Sequence, residues 1–439
     1  MTDLLYYARA VHYAASVVVA GIVFFSVFVS GPAFSKSFSD AKVAVGLWRR
    51  LSLIAWISLT LCLLSGAAWF ILTAASMSGE PLADLYSQGV LWTVLWRTHF
   101  GNDWLVRFVI AWVLAGLLPG VLSASRSKSF WLNSAAVTLA AALTGSLAWA
   151  GHAIGAEGVE GVVHPAADVL HLIAAAAWVG GLVPLALLLS MTEADPQALT
   201  AARTATTRFS TLGIIAVATL LITGLVNGWY LVGSLPALTE SEYGRLLLIK
   251  LALFLAMVGI AAFNWSWLTP RLVQDADLAA ARKARRQLRR NAGIEATLGA
   301  VIIGIVAVLG TLPPASHANH ESTSGPIPAD ASFQHIHGVD GMADVLVEPG
   351  HVGTANVTIH LWNDDLEPLA ARELTLALTA PTPGSKPVTR TAARDNDGVW
   401  HVDGVRLPVA GNWTVTVAAS LLSTERLELT APIEIDPQK

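Results

Sequence analysis

His164, Asp168 and His171 stand at offsets i, i+4 and i+7 within an apolar stretch, His164-Pro165-Ala-Ala-Asp168-Val-Leu-His171. On an α-helix those offsets put two imidazoles and a carboxylate on one face, a turn apart, and Trp178 continues the stripe ahead of Gly180-Gly181. Pro165 suits the first turn of such a helix, where a missing N–H costs nothing. Neutral imidazole binds copper or zinc, and a neighbouring carboxylate acts as a further ligand or orients the ring. Other apolar runs are interrupted near their ends by His12, which follows Arg9, by His152 and by Lys250. His12, His152, His164 and His171 are therefore candidate metal ligands together with Asp168, and Arg9, Trp178 and Lys250 are candidates for the surrounding shell. A second assignment stays open, because histidines from separate helices at one depth equally supply the axial ligands of haem b.

Each of these residues also has a plain reading. His152 and His164 lie where a membrane surface would be, and a polar side chain there needs no function. His12 and His171 sit deeper and can be satisfied by hydrogen bonds between helices, while Arg9 and Lys250 can extend toward lipid head groups. The last third of the chain holds a second group: His317, His320, His335, His337, Met342, His351, His360 and His401. On a strand His335 and His337 point the same way and Met342 can add a thioether, which makes this trio a possible tail metal site. Ordinary surface histidines are the simpler reading of that group.

Positioning these side chains is the work of a membrane protein. Of 439 residues 54% are hydrophobic and 13% charged, about half the charged fraction of a soluble domain. The net charge of -4 and the absence of a basic stripe exclude nucleic acid as a partner. Cys62 is the single cysteine, so no disulfide framework or thiolate cluster forms within one chain. With five Met, a thioether relay is thinly supplied and imidazole is left as the main ligand. No phosphate-cradling Gly-rich loop, H-E-x-x-H or G-x-S-x-G occurs, and the reading is of a protein that is not an enzyme.

Stretches long enough to cross the hydrocarbon core are expected at Tyr7 to Ala33, Leu51 to Ala75, Trp104 to Ser123, Trp131 to Ala150, Ala166 to Ser190, Ser210 to Val232, Arg245 to Leu268 and Ala292 to Leu312. The first is interrupted by Arg9 and His12 and is read as a retained helix rather than a signal peptide. Basic residues gather after the first, third, fifth and seventh stretches, most densely at Arg282, Lys283, Arg285, Arg286, Arg289 and Arg290. Those connections face the cytoplasm, which places both termini and the candidate histidines on the outer, periplasmic side.

After Leu312 come Pro313-Pro314 and a polar linker over residues 315–331, and then short alternating runs such as Asn356 to Trp362, Leu374 to Leu378 and Trp413 to Val417. Turn residues at Asp397-Gly398 and Ala410-Gly411-Asn412 separate them. The expected architecture is an all-α polytopic bundle of eight transmembrane helices over residues 1–314, followed by a small all-β sandwich over residues 332–439.

The bundle resembles the copper resistance D (CopD) family of bacterial inner-membrane proteins. The resemblance is carried by Arg9-Ala-Val-His12, Gly151-His152-Ala153, the segment from His164 to Gly181, Lys250 to Asn264 with Thr269-Pro270-Arg271, and Leu288-Arg289-Arg290 running on to Gly310-Thr-Leu-Pro-Pro314. It implies copper homeostasis at the inner membrane, with His12, His152, His164 and His171 as the family's membrane histidines. It further implies copper ion and lipid as partners, and uptake across the membrane or passage from a periplasmic CopC-like carrier. The tail, with Val347-Glu-Pro-Gly350, Gly353-Thr-Ala-Asn356 and Ala410-Gly-Asn-Trp413, resembles the YtkA-like immunoglobulin-type modules fused to such cores.

Overall fold

A computed structural model describes residues 2–34, 41–78, 81–87, 89–123, 129–150, 160–192, 199–232, 237–274, 278–312, 328, 330–337, 341–362, 369–381, 385–395, 398–421 and 426–437. The chain forms two compact units, residues 1–319 and 320–439.

The first unit holds eight helices long and apolar enough to cross a membrane: α1 (Leu4–Phe34), α2 (Lys42–Ser76), α3 (Phe100–Val121), α4 (Phe130–Trp149), α5 (Val162–Met191), α6 (Leu199–Leu231), α7 (Glu242–Val273) and α8 (Leu278–Leu309). Two start on N-caps: Thr98 Oγ1 accepts from Gly101 N at 3.0 Å and Ser241 Oγ from Gly244 N at 2.9 Å. The helices α2 and α8 begin well before the apolar stretches expected from Leu51 and Ala292. Their polar first turns are amphipathic, and in α8 one face (Ala281, Ala284, Arg285, Leu288) is buried.

At the centre of the bundle α1 packs along α2 and α5, and α5 in turn packs along α6. The apolar stretch of α1 is 67% buried, against 6% for that of α7, which lies at the periphery. The α1–α5 contact is made by backbone: a Cβ at Gly21 would collide with Gly180, and one at Gly180 with the Val17 carbonyl. Small residues permit such approach where no hydrophobic force draws helices together.

The basic connections do structural work at helix ends. Pro32 lacks the N–H that would bond to the Phe28 carbonyl, and α1 widens into a π-turn over Ser26–Ser30. Arg208 Nε donates to that Phe28 carbonyl at 3.1 Å. Arg285 Nη1 bonds to the Thr192 carbonyl at 2.5 Å and Arg203 Nε to Leu272 at 2.7 Å, satisfying the orphan acceptors of helix C-termini.

The second unit is the expected β-sandwich. One sheet has the order β1-β2-β3-β7-β6 and the other β5-β4-β8-β9, with β1 Ser332–His337, β2 Met342–Glu348, β3 Gly353–Trp362, β4 Ala371–Thr379, β5 Val388–Thr391, β6 Ala393–Arg394, β7 Trp400–Leu407, β8 Gly411–Leu421 and β9 Arg426–Ile435. All strand pairs are antiparallel. Alternate residues, among them Val357, Ile359, Val415, Val417, Trp400 and Trp413, fill the space between the sheets. The turn glycines fall where the sequence put them: Gly398 has φ +90° and Gly411 φ +124°, which L-residues adopt only with strain.

Candidate functional site

The stripe expected on the fifth helix exists, and it has a partner. On α5, His164, Asp168 and His171 face α6 and pair rung by rung with Tyr230, Asn227 and Thr223. The His164 and Tyr230 rings stack with centroids 5.0 Å apart, Asn227 Nδ2 donates to Asp168 Oδ1 at 2.8 Å, and His171 Nδ1 lies 2.9 Å from Thr223 Oγ1. Thr223 also donates to the Thr219 carbonyl at 2.7 Å. Its single hydroxyl hydrogen is thereby spent, so it accepts from His171, whose Nδ1 must carry the proton. The Nε2 of His171 is then a bare lone pair, and among the described residues no hydrogen bond reaches it. Lys250, half-buried on α7, acts electrostatically on both His171 and Asp168.

His12 is placed differently. It is 2% exposed, with Nδ1 at 2.9 Å from the Cys62 carbonyl of α2 and Nε2 at 2.6 Å from Arg107 Nη2 of α3. A carbonyl only accepts and a guanidinium only donates, so the ring is neutral, protonated at Nδ1 and accepting at Nε2. Arg107 Nη1 continues to Ser146 Oγ of α4 at 2.9 Å. Trp69 and Trp104 stand edge-on to the imidazole at 5.7 and 5.1 Å. Both ring nitrogens are engaged, which is the satisfied interhelical arrangement. Arg9 is 6% exposed and does not extend to head groups: its guanidinium lies 4.7 Å from the Trp69 ring centroid and bonds to Tyr13 Oη at 3.2 Å. Cation–π attraction offsets the cost of keeping that charge inside.

Leu172 packs in the same cluster as Tyr13, so His12 and His171 share a level of the bundle. Their partners nevertheless come from different helices. Among the described residues no three of His, Cys, Asp and Glu converge as a metal-binding group. The expected cup of four histidines is not assembled by the residues described, and His152 lies outside them. Trp178 continues the α5 stripe one level deeper, buried edge-on to Phe254 at 6.1 Å. In the tail Met342 is 4% exposed and sits in register with His337. Along its strand it alternates with the core residues Ala343, Val345 and Val347 and so stands on the opposite face of the sheet; the side chains of His335 and His337 lie outside the described residues, as do His317 and His320.

Thr223, Asn227 and Tyr230 repeat on α6 the offsets i, i+4 and i+7 that mark α5, and Arg107 is a lone cation near the start of the third apolar run. Both signals are legible in the sequence.

Two family models match the chain: "Copper resistance protein D-like, N-terminal domain" over residues 1–162 and "Copper resistance protein D" over residues 203–309. Copper resistance protein D of Pseudomonas syringae pv. tomato is 32% identical over 272 residues, covering 61% of this chain and 84% of that protein. Inner membrane protein YebZ of Escherichia coli (strain K12) is 33% identical over 259 residues, 56% of this chain and 82% of its own length. Copper transport protein CutJ of Bacillus subtilis (strain 168) is 27% identical over 346 residues, 77% of this chain and 59% of that protein. None of these speaks for the haem alternative.

Proposed function

Because the chain belongs to the copper resistance protein D family, we propose that it takes up or translocates copper across the inner membrane through a histidine site in the outward half of the bundle. Eight apolar spans and the likeness to an inner-membrane relative support that membrane, and the basic residues that cap helix ends support an orientation with both termini and the β-sandwich in the periplasm.

The observation that carries the reading is the unprotonated Nε2 of His171, held by Thr223 and lying one helical turn from the Asp168 carboxylate. A lone imidazole with a carboxylate beside it binds an ion weakly enough to release it, which suits passage better than storage. His164, with its face against Tyr230, is the first ring met from outside. His12 joins as a ligand only after Arg107 swings away, so its resting role is to tie α1 to α2 and α3. Copper is the cargo, and a periplasmic CopC-like carrier is the donor that fits a site on this side.

Asp168→Asn keeps the hydrogen-bonding shape and removes the charge. Copper accumulation by cells expressing this variant is expected to need about tenfold more external copper than wild type, the usual cost of losing a residue that orients a ligand. Accumulation curves that superimpose would remove Asp168 from the site and the proposal with it.

A further inference from the structure

The inward half of the bundle contains a second ionisable group. Glu295 of α8 is 2% exposed and accepts from Asn264 Nδ2 through Oε1 at 2.8 Å. Asn264 Oδ1 accepts from Asn291 Nδ2 at 2.6 Å, and Asn291 Oδ1 accepts from Gln287 Nε2 at 3.0 Å. Three amides are thus aligned in one sense, each donating toward the carboxyl, and such chains polarise one another in a low-dielectric interior. Asn264 is delivered by a π-turn over Asn264–Leu268, in a helix whose following Pro270 cannot supply a normal ladder bond; π-turns of this kind recur at functional sites.

The carboxyl also borders a cavity of about 320 Å³ between α5, α6, α7 and α8, lined by Trp178, Thr206, Phe209, Ser210, Asn264 and Glu295 among others. Thr206 lies about two turns inside the start of α6, so one end of the cavity approaches the basic face of the bundle, and along α6 its lining runs on past Gly213, beside Trp178, to Leu221. The cations nearby face other groups: Arg203, Arg208 and Arg285 bond to backbone carbonyls of Leu272, Phe28 and Thr192, and Arg271 stacks on Trp267. Among the described residues none pairs with Glu295. The facing stretches of α1 and of α5 beyond Trp178 carry no charged residue.

A carboxyl in hydrocarbon is expensive to keep and marks function by default. Here the oriented amides favour the anion and the apolar walls favour the acid, which leaves the group able to adopt either form. We propose that Glu295 is a proton-binding site opening to the cytoplasmic side, which takes a proton from that side onto its carboxylate and returns it, alternating with cation occupancy of the outer histidine site. The coupling part rests on the copper reading above; the proton site does not.

Dicyclohexylcarbodiimide, which reacts with buried carboxylic acids, tests the site on the full chain in membranes. Glu295 is expected to be labelled at a rate that falls about tenfold per pH unit above its midpoint. Glu295→Gln is expected to abolish labelling at that peptide, and Asn264→Ala to extend labelling to higher pH by removing the donor that favours the anion. No labelling of Glu295, labelling independent of pH, or an Asn264→Ala profile identical to wild type overturns the proton site. For coupling, Glu295→Gln vesicles are expected to bind copper as wild type does but to lose the response of copper flux to an imposed pH gradient; an undiminished response overturns it. Wild-type vesicles that move no copper would sink the proposed function and leave the labelling result standing.

Discussion

Gly180→Val is expected to leave essentially no folded membrane unit. A methyl at Gly180 would collide with the Val17 carbonyl and the Gly21 Cα, and one at Gly21 with the Gly180 backbone. Overpacking against side chains ordinarily costs ~1–3 kcal/mol because neighbours can change rotamer. Backbone has no rotamer to change, so the cost falls on separating α1 from α5 along their length. That contact holds His12 and His171 at one level, and α1 is the most buried helix of the bundle. The check is the monodisperse yield and melting temperature of detergent-solubilised protein. Gly116→Ala serves as the control, since nothing lies within 4 Å of a Cβ there, and removing a helical glycine is worth ~0.5–1 kcal/mol in its favour. A Gly180→Val protein that melts with wild type would mean that the helices do not cross here.

Much of this architecture is visible in the sequence because the bilayer imposes it. Eight apolar stretches announce eight helices, and alternating runs between turn residues announce the sandwich. Hydropathy reports only what lies in hydrocarbon, so the polar turns of α2 from Lys42 and of α8 from Leu278 escape it, as does the short helix Val90–Arg97 with its exposed Trp92 and Trp96. The α5 stripe was legible from its spacing alone. Its partner on α6 was not, because a one-dimensional pattern states which residues share a face and leaves open which face meets which. The same limit explains His12: depth was readable, but a ring nitrogen engaged by Arg107 from a helix 95 positions away is a property of packing. Gly180-Gly181 stood out as a dipeptide without a role. The structure gives each residue one, Gly180 against the α1 backbone and Gly181 against the Phe209 ring of α6.

The geometry ranks the histidines, and His171→Ala is the variant in which the ranking shows most. With Nε2 of His12 already accepting from Arg107, His171 is the deeper ring with an open lone pair, and its removal is expected to bring copper accumulation down to that of cells carrying no protein. Thr223→Val separates ligation from packing. It keeps the volume but removes the acceptor that holds the proton on Nδ1, so the ring can turn or adopt the other tautomer. Losing an orienting partner costs about 10- to 100-fold in metal affinity, which places Thr223→Val between wild type and His171→Ala. His12→Ala should act in another way: it takes an acceptor from the buried Arg107 guanidinium, and losing a hydrogen bond to a charged group costs ~1.5–3 kcal/mol. The melting temperature is expected to drop before copper handling is lost. If His12→Ala abolished accumulation in a protein of unchanged stability while His171→Ala accumulated copper normally, the order would be reversed. Arg107 would then be the gate of the principal site rather than the anchor of a structural one.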